Sequence, residues 1–456
     1  MVAQIANTIL RSISRYPWML AVLLLTGCFG DGKQSTIRPE SDSARIIQDV
    51  YAMVTWIDVG IFIVVATLLA VAMIKYRAGA QKDIDIPKQV HGNVVVELIW
   101  TLVPAILLIF IAVPTWQGIF RAAAPPRAGA LQVEAIGHQW WWEFRYPSEN
   151  IVTANELHVP VNRTVVVKTW SADVIHSVWM PRLAGKIDSL PGKSNEIWFT
   201  PEKIGEYLGQ CAEFCGTSHA NMRFKVIVDS PSDYETWLDR QSMAPVAISP
   251  EAQAGEKLFA AKACMACHTI SGVAGAVGVI GPNLNDLGSR TTIASGILEN
   301  TPDNLAAWIQ DPQAMKPGAL MILPMEVNPS EAAQLAAFLT SEPGAAAPAP
   351  AVPAPAVPAP PTAGSDVSAQ DIIGAKGCTI CHAIPGFPAP AAEIGPALAG
   401  LMSRDTIAGG AIQNTEDNLR AWLKNPPGMK PGTLMLNVGL TDPEIDTLID
   451  FLKTLE

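Results

Sequence analysis

Two long stretches of the chain carry almost no polar side chains. Val54–Ile74 and Val94–Trp116 each reach the roughly 20 apolar residues that a helix needs to cross a bilayer. The segment between them, KYRAGAQKDIDIPKQVHG, is basic, so we expect it to face the cytoplasm and the flanking parts of the chain to lie outside. The pattern predicts a two-helix transmembrane hairpin, which with the preceding segment occupies residues 28–120.

The hydrophobic pattern changes to short alternating runs between Leu131 and Asp229, for example LQVEAIGHQWWWEF, RTVVVKTW and FKVIV. Alternation, β-branched residues and Gly/Pro punctuation are typical of a β-sandwich. We therefore predict a β-sandwich domain over residues 121–230. Its most unusual run is Trp140-Trp141-Trp142. Consecutive strand residues point to opposite faces, so at least one of these rings should be exposed.

The last part of the chain is an internal repeat. CMACH at Cys264–His268 and CTICH at Cys378–His382 lie 114 residues apart (378 − 264). The same offset relates IGPNLNDLGSR to IGPALAGLMSR, TPDNLAAW to TEDNLRAW, and MKPGALM to MKPGTLM. Short amphipathic stretches such as SEAAQLAAFLTS favour small helices. The repeat predicts two duplicated all-α domains, at residues 247–341 and 367–456.

An Ala/Pro-rich segment over residues 342–366 joins the two repeats. Such a composition cannot build a core and favours an extended, polyproline-like linker of about 3.1 Å per residue. The second repeat is therefore expected to be tethered loosely. The segment SPSDYETWLDRQSMAPVAISP, which joins the sandwich to the first repeat, predicts a tighter connection.

The beginning of the chain has the features of an export signal. Arg11 and Arg15 precede the apolar run Trp18–Leu25 and then LTGC, a run too short to span a bilayer. LTGC also fits the bacterial lipoprotein pattern, which predicts a signal peptide over residues 1–27 and a lipid anchor on Cys28. The alternative is an uncleaved signal with an idle cysteine.

Composition agrees with a membrane protein that does not bind nucleic acid. The chain has 456 residues, 49% of them hydrophobic, and a net charge of −11. This charge argues against nucleic acid as a partner and weakly for a basic protein partner. Of its seven cysteines, six fall in the motifs below and the seventh is Cys28, which leaves none for a disulfide.

The densest set of metal-binding side chains lies in GQCAEFCGTSHANM. Cys211, Cys215, His219 and Met222 share this loop, and His176 lies upstream. Thiolate, imidazole and thioether ligands select copper over magnesium or calcium. A mononuclear blue-copper site uses one cysteine, whereas two cysteines four residues apart can bridge two metals. A zinc site or a disulfide would explain neither the methionine nor the upstream histidine.

From Ala44 to Asp229 the chain resembles cytochrome c oxidase subunit II, in its membrane hairpin and in GHQWWWEFRY, DVIHSVWMP, GKIDSLPGK and the copper loop. The resemblance implies a cupredoxin-like fold and a dinuclear copper A centre bridged by Cys211 and Cys215. It implies that His176 and Met222 complete one copper, and His219 and the Glu213 carbonyl the other. Phe214 stands where the family usually has leucine.

The same resemblance implies further roles. Trp140 corresponds to the surface residue at which electrons from cytochrome c enter. Glu97 corresponds to a glutamate at the mouth of a proton pathway, although a simple interfacial carboxylate is an equal alternative. The side chain of Glu213 would share a Mg²⁺ ion with subunit I. Asp173 is expected to buttress the copper loop, and the remaining imidazoles of the domain, His138 and His158, to be structural.

Cys-x-x-Cys-His is the attachment signature of a c-type haem. Cys264 and Cys267, and likewise Cys378 and Cys381, would bind the porphyrin, with His268 and His382 as iron ligands. Both repeats resemble class I cytochrome c, whose KPG-x-x-M pattern assigns Met321 and Met435 as sixth ligands. Met315, Met325 and Met429 are the competitors. A thioredoxin-like redox pair or half a zinc site would explain CxxC but not the rest.

Together these features predict the subunit of a haem–copper oxidase that receives electrons. Electrons would pass from a donor through two haems and copper A to subunit I, where O₂ is reduced to water and protons are pumped. The expected order is second haem, first haem, copper. We expect a two-pass protein of the bacterial inner membrane, with its copper and haem domains on the periplasmic face and other oxidase subunits as partners.

Three alternatives bear on this function. Nitrous-oxide reductase also carries copper A but needs a His-rich domain that this sequence lacks, and the corresponding subunit of a quinol oxidase lacks the copper ligands present here. The third alternative stays open: a permanent electron relay that links a quinol-oxidising complex to the oxidase without a soluble cytochrome c.

Overall fold

The structure is a computed structural model that describes residues 32–76, 92–123, 128–321, 325–344, 368–376, 378–387, 395–430, 433, 435 and 438–455. Three predicted features lie outside the described residues: the signal segment with Cys28, the loop of the membrane hairpin, and nearly all of the Ala/Pro-rich linker.

Two long apolar helices form the membrane hairpin, α1 (Asp42–Lys75) and α2 (Val94–Ala122). Their most apolar windows have a mean hydropathy of 2.7 and are unburied within the chain. Helix α1 begins well before the predicted span because its first turn packs on the β domain. The Ser41 side chain caps the helix, and the Asp42 carboxylate accepts a 2.8 Å hydrogen bond from the Thr200 amide.

Ten strands form a sandwich of two five-stranded sheets, in the orders β3-β2-β1-β5-β8 and β4-β10-β9-β6-β7. The strands are β1 (Leu131–His138), β2 (Trp141–Tyr146), β3 (Ile151–Ala154), β4 (Glu156–Pro160), β5 (Val165–Ser171), β6 (His176–Trp179), β7 (Lys186–Ser189), β8 (Asn195–Phe199), β9 (Gly205–Cys211) and β10 (Arg223–Asp229). The alternation read from the sequence places Leu131 and Val133 in the core, while Gln132 between them is exposed. Trp142, Phe144 and Tyr146 of β2 are completely buried.

Helix α3 (Pro231–Gln241) connects the sandwich to the first repeat. It begins at Ser230, whose side chain caps it. Tyr234 and Trp237 belong to the sandwich core, and the Trp237 ring stacks on His158 with centroids 4.5 Å apart. The connector is therefore part of the sandwich's packing, which agrees with the tight connection expected for this segment.

The two repeats are small helical domains, each with its own apolar core. The first contains α4 (Pro250–Ala261), β11 (Thr292–Ile293), β12 (Leu298–Glu299), α5 (Pro302–Gln310), α6 (Pro312–Met315) and α7 (Pro329–Leu339). The second contains α8 (Ala369–Ala375), α9 (Cys378–Cys381), β13 (Thr406–Ile407), β14 (Ile412–Gln413), α10 (Glu416–Lys424), α11 (Pro426–Met429) and α12 (Asp442–Leu452). Thr301 and Thr415 cap corresponding helices. The fold is thus a pair of long apolar helices, a two-sheet β-sandwich and two small helical domains, as the sequence predicts.

Candidate metal centre and its docked cytochrome domain

The end of β9 and the loop after it bring two thiols together with their neighbouring ligands. The Sγ atoms of Cys211 and Cys215 are 3.8 Å apart. Nδ1 of His176 lies 3.9 Å from the Cys211 sulfur, and Nδ1 of His219 lies 3.5 Å from the Cys215 sulfur. Each sulfur thus faces one imidazole, and both thiols are buried.

Two weaker donors complete the cluster. The Met222 sulfur is 3.8 Å from the Cys215 sulfur, and the Glu213 carbonyl oxygen is 3.2 Å from the Cys211 sulfur. The site therefore offers two thiols, two imidazole nitrogens, a thioether and a carbonyl, a set suited to two soft metal ions sharing two sulfurs. All six donors predicted from the sequence meet at one place.

A carboxylate fixes the orientation of the upstream imidazole. Oδ1 of Asp173 accepts a 2.7 Å hydrogen bond from Nε2 of His176, which leaves Nδ1 directed at the thiols. Oδ2 of Asp173 accepts a 2.6 Å hydrogen bond from the Gln139 amide. Burial opposes ionisation of Asp173, but the bonds from His176 and Gln139 lower its pKa. Such a carboxylate–histidine pair sets the tautomer and raises the basicity of a metal ligand.

The thiols also influence each other. The pKa of Cys211 is lowered because its sulfur accepts a hydrogen bond from the Cys215 thiol and another from His176. The pKa of Cys215 is raised because its thiol donates to Cys211 and is buried. Burial opposes protonation of His176, but its hydrogen bonds to Asp173 and Cys211 raise its pKa. Metal bound at this site would require both cysteines as thiolates and His176 with Nδ1 free of its proton.

Trp140 contacts the cluster from the side. Its indole Nε1 donates a 2.9 Å hydrogen bond to the Cys215 carbonyl, which also accepts a 2.8 Å bond from Nε2 of Gln139. The expectation that Trp140 lies on the surface is wrong for this chain: only 9% of it is exposed. The physical reason is that the first cytochrome domain covers it. Trp142 is buried in the sandwich, and Trp141 stacks on His138 with centroids 4.2 Å apart.

The loop that covers Trp140 is Lys316-Pro317-Gly318, the start of the KPG-x-x-M pattern of the first repeat. Nζ of Lys316 donates to the Trp140 carbonyl at 2.5 Å. A Cβ on Gly318 would lie 3.1 Å from the Trp140 ring, so the loop backbone packs directly on the indole. The Ser218 hydroxyl donates to the Pro317 carbonyl. The predicted sixth haem ligand, Met321, follows three residues after Gly318.

The two CxxCH sites have matching surroundings. Nδ1 of His268 bonds to the Pro282 carbonyl at 2.8 Å, and Nδ1 of His382 bonds to the Pro396 carbonyl at 2.8 Å. This leaves Nε2 of each imidazole as the metal-binding atom. Burial also lowers the pKa of His268, which favours the neutral form that binds iron. Both sites therefore fit a c-type haem.

Close packing on these imidazoles requires glycine. A Cβ on Gly281 would lie 2.6 Å from Cε1 of His268, and a Cβ on Gly395 would lie 2.5 Å from Cε1 of His382. The thiols of Cys264, Cys267, Cys378 and Cys381 are half-buried. Met321 and Met435 are half-buried, as are the competitors Met315 and Met429, while the competitor Met325 is 42% exposed.

The remaining predicted residues have the following surroundings. Oε1 of Glu97 accepts a 3.2 Å hydrogen bond from the amide of Asn93, the residue that caps α2, so a local structural role is present in this chain. The Glu213 side chain is exposed. His138 bonds to Glu143 at 3.0 Å, and His158 bonds to Asp229 at 2.8 Å. Carboxylates thus hold both of these histidines.

Some site residues were not identified from the sequence. Gln139, Glu156, Ser295 and Lys316 bond to the copper loop or across the boundary between the copper domain and the first cytochrome domain. A comparison of the two repeats could have suggested one of them, because Ser295 stands where the second repeat has Gly409.

Comparison with known proteins covers most of the chain. Residues 37–117 match the transmembrane domain of cytochrome c oxidase subunit II, residues 149–230 match its periplasmic domain, and residues 252–342 and 367–456 each match cytochrome c. Cytochrome c oxidase subunit 2 of Alkalihalophilus pseudofirmus is 36% identical over 73% of this chain and 97% of its own length.

Other relatives are similar over shorter stretches. Cytochrome c oxidase subunit 2 of Bacillus subtilis is 33% identical over 66% of this chain and 89% of its own length. The solved periplasmic domain of cytochrome oxidase subunit II of Bradyrhizobium japonicum is 34% identical, covers 25% of this chain and 95% of its own, and has a TM-score of 0.25. On the matched families and the full-length relative, the chain belongs to the cytochrome c oxidase subunit II family, with two cytochrome c domains at its C-terminal end.

Proposed function

We propose that this chain is the electron-receiving subunit of a haem–copper terminal oxidase. It passes electrons from a donor through two c-type haems and a dinuclear copper A centre to subunit I, where O₂ is reduced to water and protons are pumped. The observation that carries the proposal is the contact of the first cytochrome domain's Lys316–Gly318 loop with Trp140, whose indole bonds to the Cys215 carbonyl.

The chain's own residues would hold the cofactors as follows. Cys211 and Cys215 would bridge the coppers, one completed by His176 and Met222, the other by His219 and the Glu213 carbonyl. Bound there, copper A would accept and release one electron at a time. Asp173 holds one imidazole in place, and Trp140 fills the space between the copper loop and the cytochrome loop. The haems would be held by the two CxxCH motifs, with Met321 and Met435 as sixth ligands.

Coverage of Trp140 supports an order of transfer. A diffusing cytochrome c cannot reach a ring that is 9% exposed. The donor would therefore meet the second cytochrome domain, and electrons would pass to the first domain and then to copper. The donor is either a soluble cytochrome c or a quinol-oxidising complex bound permanently in a supercomplex.

Subunit I would face the exposed Glu213 and Phe214 of the copper loop, and Glu213 would contribute to a shared Mg²⁺ site. Glu97 would stand at the entrance to the proton pathway, and the copper and haem domains would lie on the periplasmic side of a bacterial inner membrane.

The order of transfer can be tested by flash reduction of the haems in the purified full-length subunit. We expect copper to be reduced at a rate that does not change with protein concentration. A Gly318→Ala variant should slow this step, because its Cβ would lie 3.1 Å from the Trp140 ring and would push the loop away. Gly272→Ala is the matched control, with a similar left-handed backbone (φ 77° against 87°) in the same domain.

Two results would contradict the proposal: copper reduction that accelerates in proportion to protein concentration, or equal slowing in both variants. The identity of the donor needs a second measurement. The oxidase is isolated through this subunit in mild detergent, and quinol-driven oxygen uptake is measured without added cytochrome c. Uptake without the additive indicates a permanently bound quinol-oxidising complex, and uptake only with it indicates a diffusing donor.

A further inference from the structure

Three residues in the face of the first cytochrome domain that contacts the copper domain are replaced in the second repeat. The 114-residue offset between the repeats (378 − 264) pairs Ser295 with Gly409, Asp286 with Gly400, and Thr291 with Asp405. Around these positions the two domains share the same short hairpins, Thr292–Glu299 and Thr406–Gln413. The side chains can therefore be compared on nearly the same backbone.

Ser295 lies at the centre of the contact and is 3% exposed. Its hydroxyl donates to the Trp140 carbonyl at 2.8 Å and accepts from Nζ of Lys316 at 2.8 Å. Its own carbonyl accepts a 3.1 Å bond from the Arg223 amide of the copper domain. Ser295 adopts φ 64°, and Gly409 adopts φ 67°. A serine thus occupies a left-handed position that favours glycine, and it makes two contacts there that involve its hydroxyl.

The lysine that contacts this serine, Lys316, also makes different hydrogen bonds from its counterpart Lys430 in the second domain. In the second domain, Nζ of Lys430 bonds to the Ala408 carbonyl at 2.7 Å. In the first domain, Nζ of Lys316 lies 3.5 Å from the equivalent Ala294 carbonyl and instead donates to Trp140 and Ser295. The lysine is common to both repeats, so the serine beside it is the difference that supplies the cross-domain partner.

Asp286 anchors the opposite edge of the contact. Its carboxylate, 1% exposed, accepts bonds at 2.8–3.2 Å from Nε and Nη2 of Arg240 on α3. It too adopts a left-handed backbone, φ 48° against φ 59° for Gly400. A two-pronged arginine–carboxylate pair is among the stronger polar contacts available to proteins, and a glycine cannot form it.

At the third position, Thr291 in the first domain and Asp405 in the second, the difference affects docking through charge. Oε1 of the buried Glu156 accepts bonds from the amide and the hydroxyl of Thr291, at 2.9 and 2.7 Å. An aspartate here, as at Asp405, would remove the hydroxyl donor and set a second carboxylate against Glu156. Nζ of Lys225 also donates to the Thr291 hydroxyl at 2.8 Å, but it is already bonded to Glu206 at 2.9 Å, so it offsets the repulsion only in part.

We propose that Asp286, Thr291 and Ser295 form a docking code that assigns the first cytochrome domain, and not the second, to the face of the copper domain around Trp140. The second domain carries two glycines and an aspartate at these positions, so it lacks the carboxylate that pairs with Arg240 and the two hydroxyls that bond to Glu156 and to the Trp140 carbonyl. The second domain meets the copper domain at a different place, where a Cβ on Gly439 would lie 3.3 Å from Cβ of Asp173. The docking code does not rest on the proposed function.

Amide hydrogen exchange of the full-length chain measures the docking directly. The amides of Arg223, Thr291 and Thr292 donate across the boundary between the copper domain and the first cytochrome domain, so undocking would expose them to solvent. The test variant combines D286G, T291D and S295G. Each replacement is the residue that the second repeat already holds on this backbone, and the two glycines relieve a left-handed conformation. We expect exchange of the Arg223 amide to accelerate on the order of a hundredfold. The Leu305 amide, which bonds to the carbonyl of Thr301, the residue that caps α5, should be unchanged and so report an intact domain.

Two further variants complete the experiment. E299Q is the matched control, since it also imports a residue of the second repeat, Gln413, but at an exposed position; Arg223 should stay protected. Adding G400D, D405T and G409S to the test variant should let the second domain dock and restore the protection of Arg223. Protection that persists in the test variant overturns the proposal, and so does protection that fails to return in the combined variant. Neither outcome depends on whether copper or haem conducts electrons, so failure of the proposed function is recognised separately, by flash reduction of the wild-type subunit.

Discussion

Replacement of Asp173 by asparagine tests how much the copper cluster depends on a residue that binds no metal. The carboxylate joins Nε2 of His176 at 2.7 Å to the Gln139 amide at 2.6 Å, and both partners are donors. An asparagine has the same shape but only one acceptor oxygen. Whichever way its amide is turned, one N–H group faces another N–H group.

The magnitude follows from the bond that is lost. A buried hydrogen bond to a charged group contributes about 1.5–3 kcal/mol, and the Asp173 side chain is 16% exposed, so solvent weakens it little. Loss of the support of a ligating histidine typically weakens metal binding about 10- to 100-fold, which corresponds to roughly 1.4–2.7 kcal/mol. The two figures agree, and we expect D173N to weaken copper binding by this factor.

The assay is a competition titration of the full-length chain in detergent against a copper chelator, followed by the thiolate–copper absorption. Asp188→Asn is the matched control, because Asp188 is an exposed carboxylate of the same domain; its copper affinity should equal that of the wild type. A D173N affinity within about twofold of the wild type, with an unchanged spectrum, would refute the inference that Asp173 orients His176.

Three further predictions follow from other contacts. Trp140→Phe removes the indole bond to the Cys215 carbonyl and should slow copper reduction in flash experiments roughly tenfold, with copper affinity unchanged; an unaltered rate would exclude the ring from the route. Glu143 has a pKa lowered to about 2 because ion pairing outweighs burial. It should therefore stabilise the sandwich above pH ~4.5 and lose about 3 kcal/mol as the pH falls toward 2; E143Q should flatten this acid dependence in chemical unfolding, and an unchanged slope would contradict it. Gly281→Ala would clash with His268 and should lower the mass spectrometric haem count by one.

The strongest sequence patterns predicted the parts of the structure that depend on local spacing. The donors of the copper site are brought together as the loop spacing implies, because five of the six donors share one short loop and His176 begins strand β6 beside β9. The long apolar runs predicted both membrane helices, but α1 begins at Asp42, well before the predicted start at Val54. Its first turns are held by Ser41 and Asp42 bonding to the sandwich, and long-range contacts of this kind leave no periodic signal.

The surroundings of Trp140 could not be predicted for a related reason. Burial of that ring depends on a domain whose contact residue Ser295 lies 155 residues downstream of Trp140. The sequence around the tryptophans does not indicate which part of the chain covers them. The residues that cover the ring lie in a distant segment of the chain, where the first repeat differs from the second at Ser295 and Gly409. Docking between domains is specified by a few polar side chains, which composition and hydropathy do not reveal.

The early start of α1 has a geometric consequence. The helix runs without interruption from its cap on the sandwich, at Ser41, into the predicted membrane span. Because an α-helix advances about 1.5 Å and turns about 100° per residue, inserting one residue between Asp42 and Val54 would rotate the membrane-spanning part of α1 by about 100° relative to the sandwich while lengthening the helix by only about 1.5 Å. The number of helical residues between Ser41 and the membrane span therefore sets how the copper loop is oriented relative to the membrane-spanning part of α1.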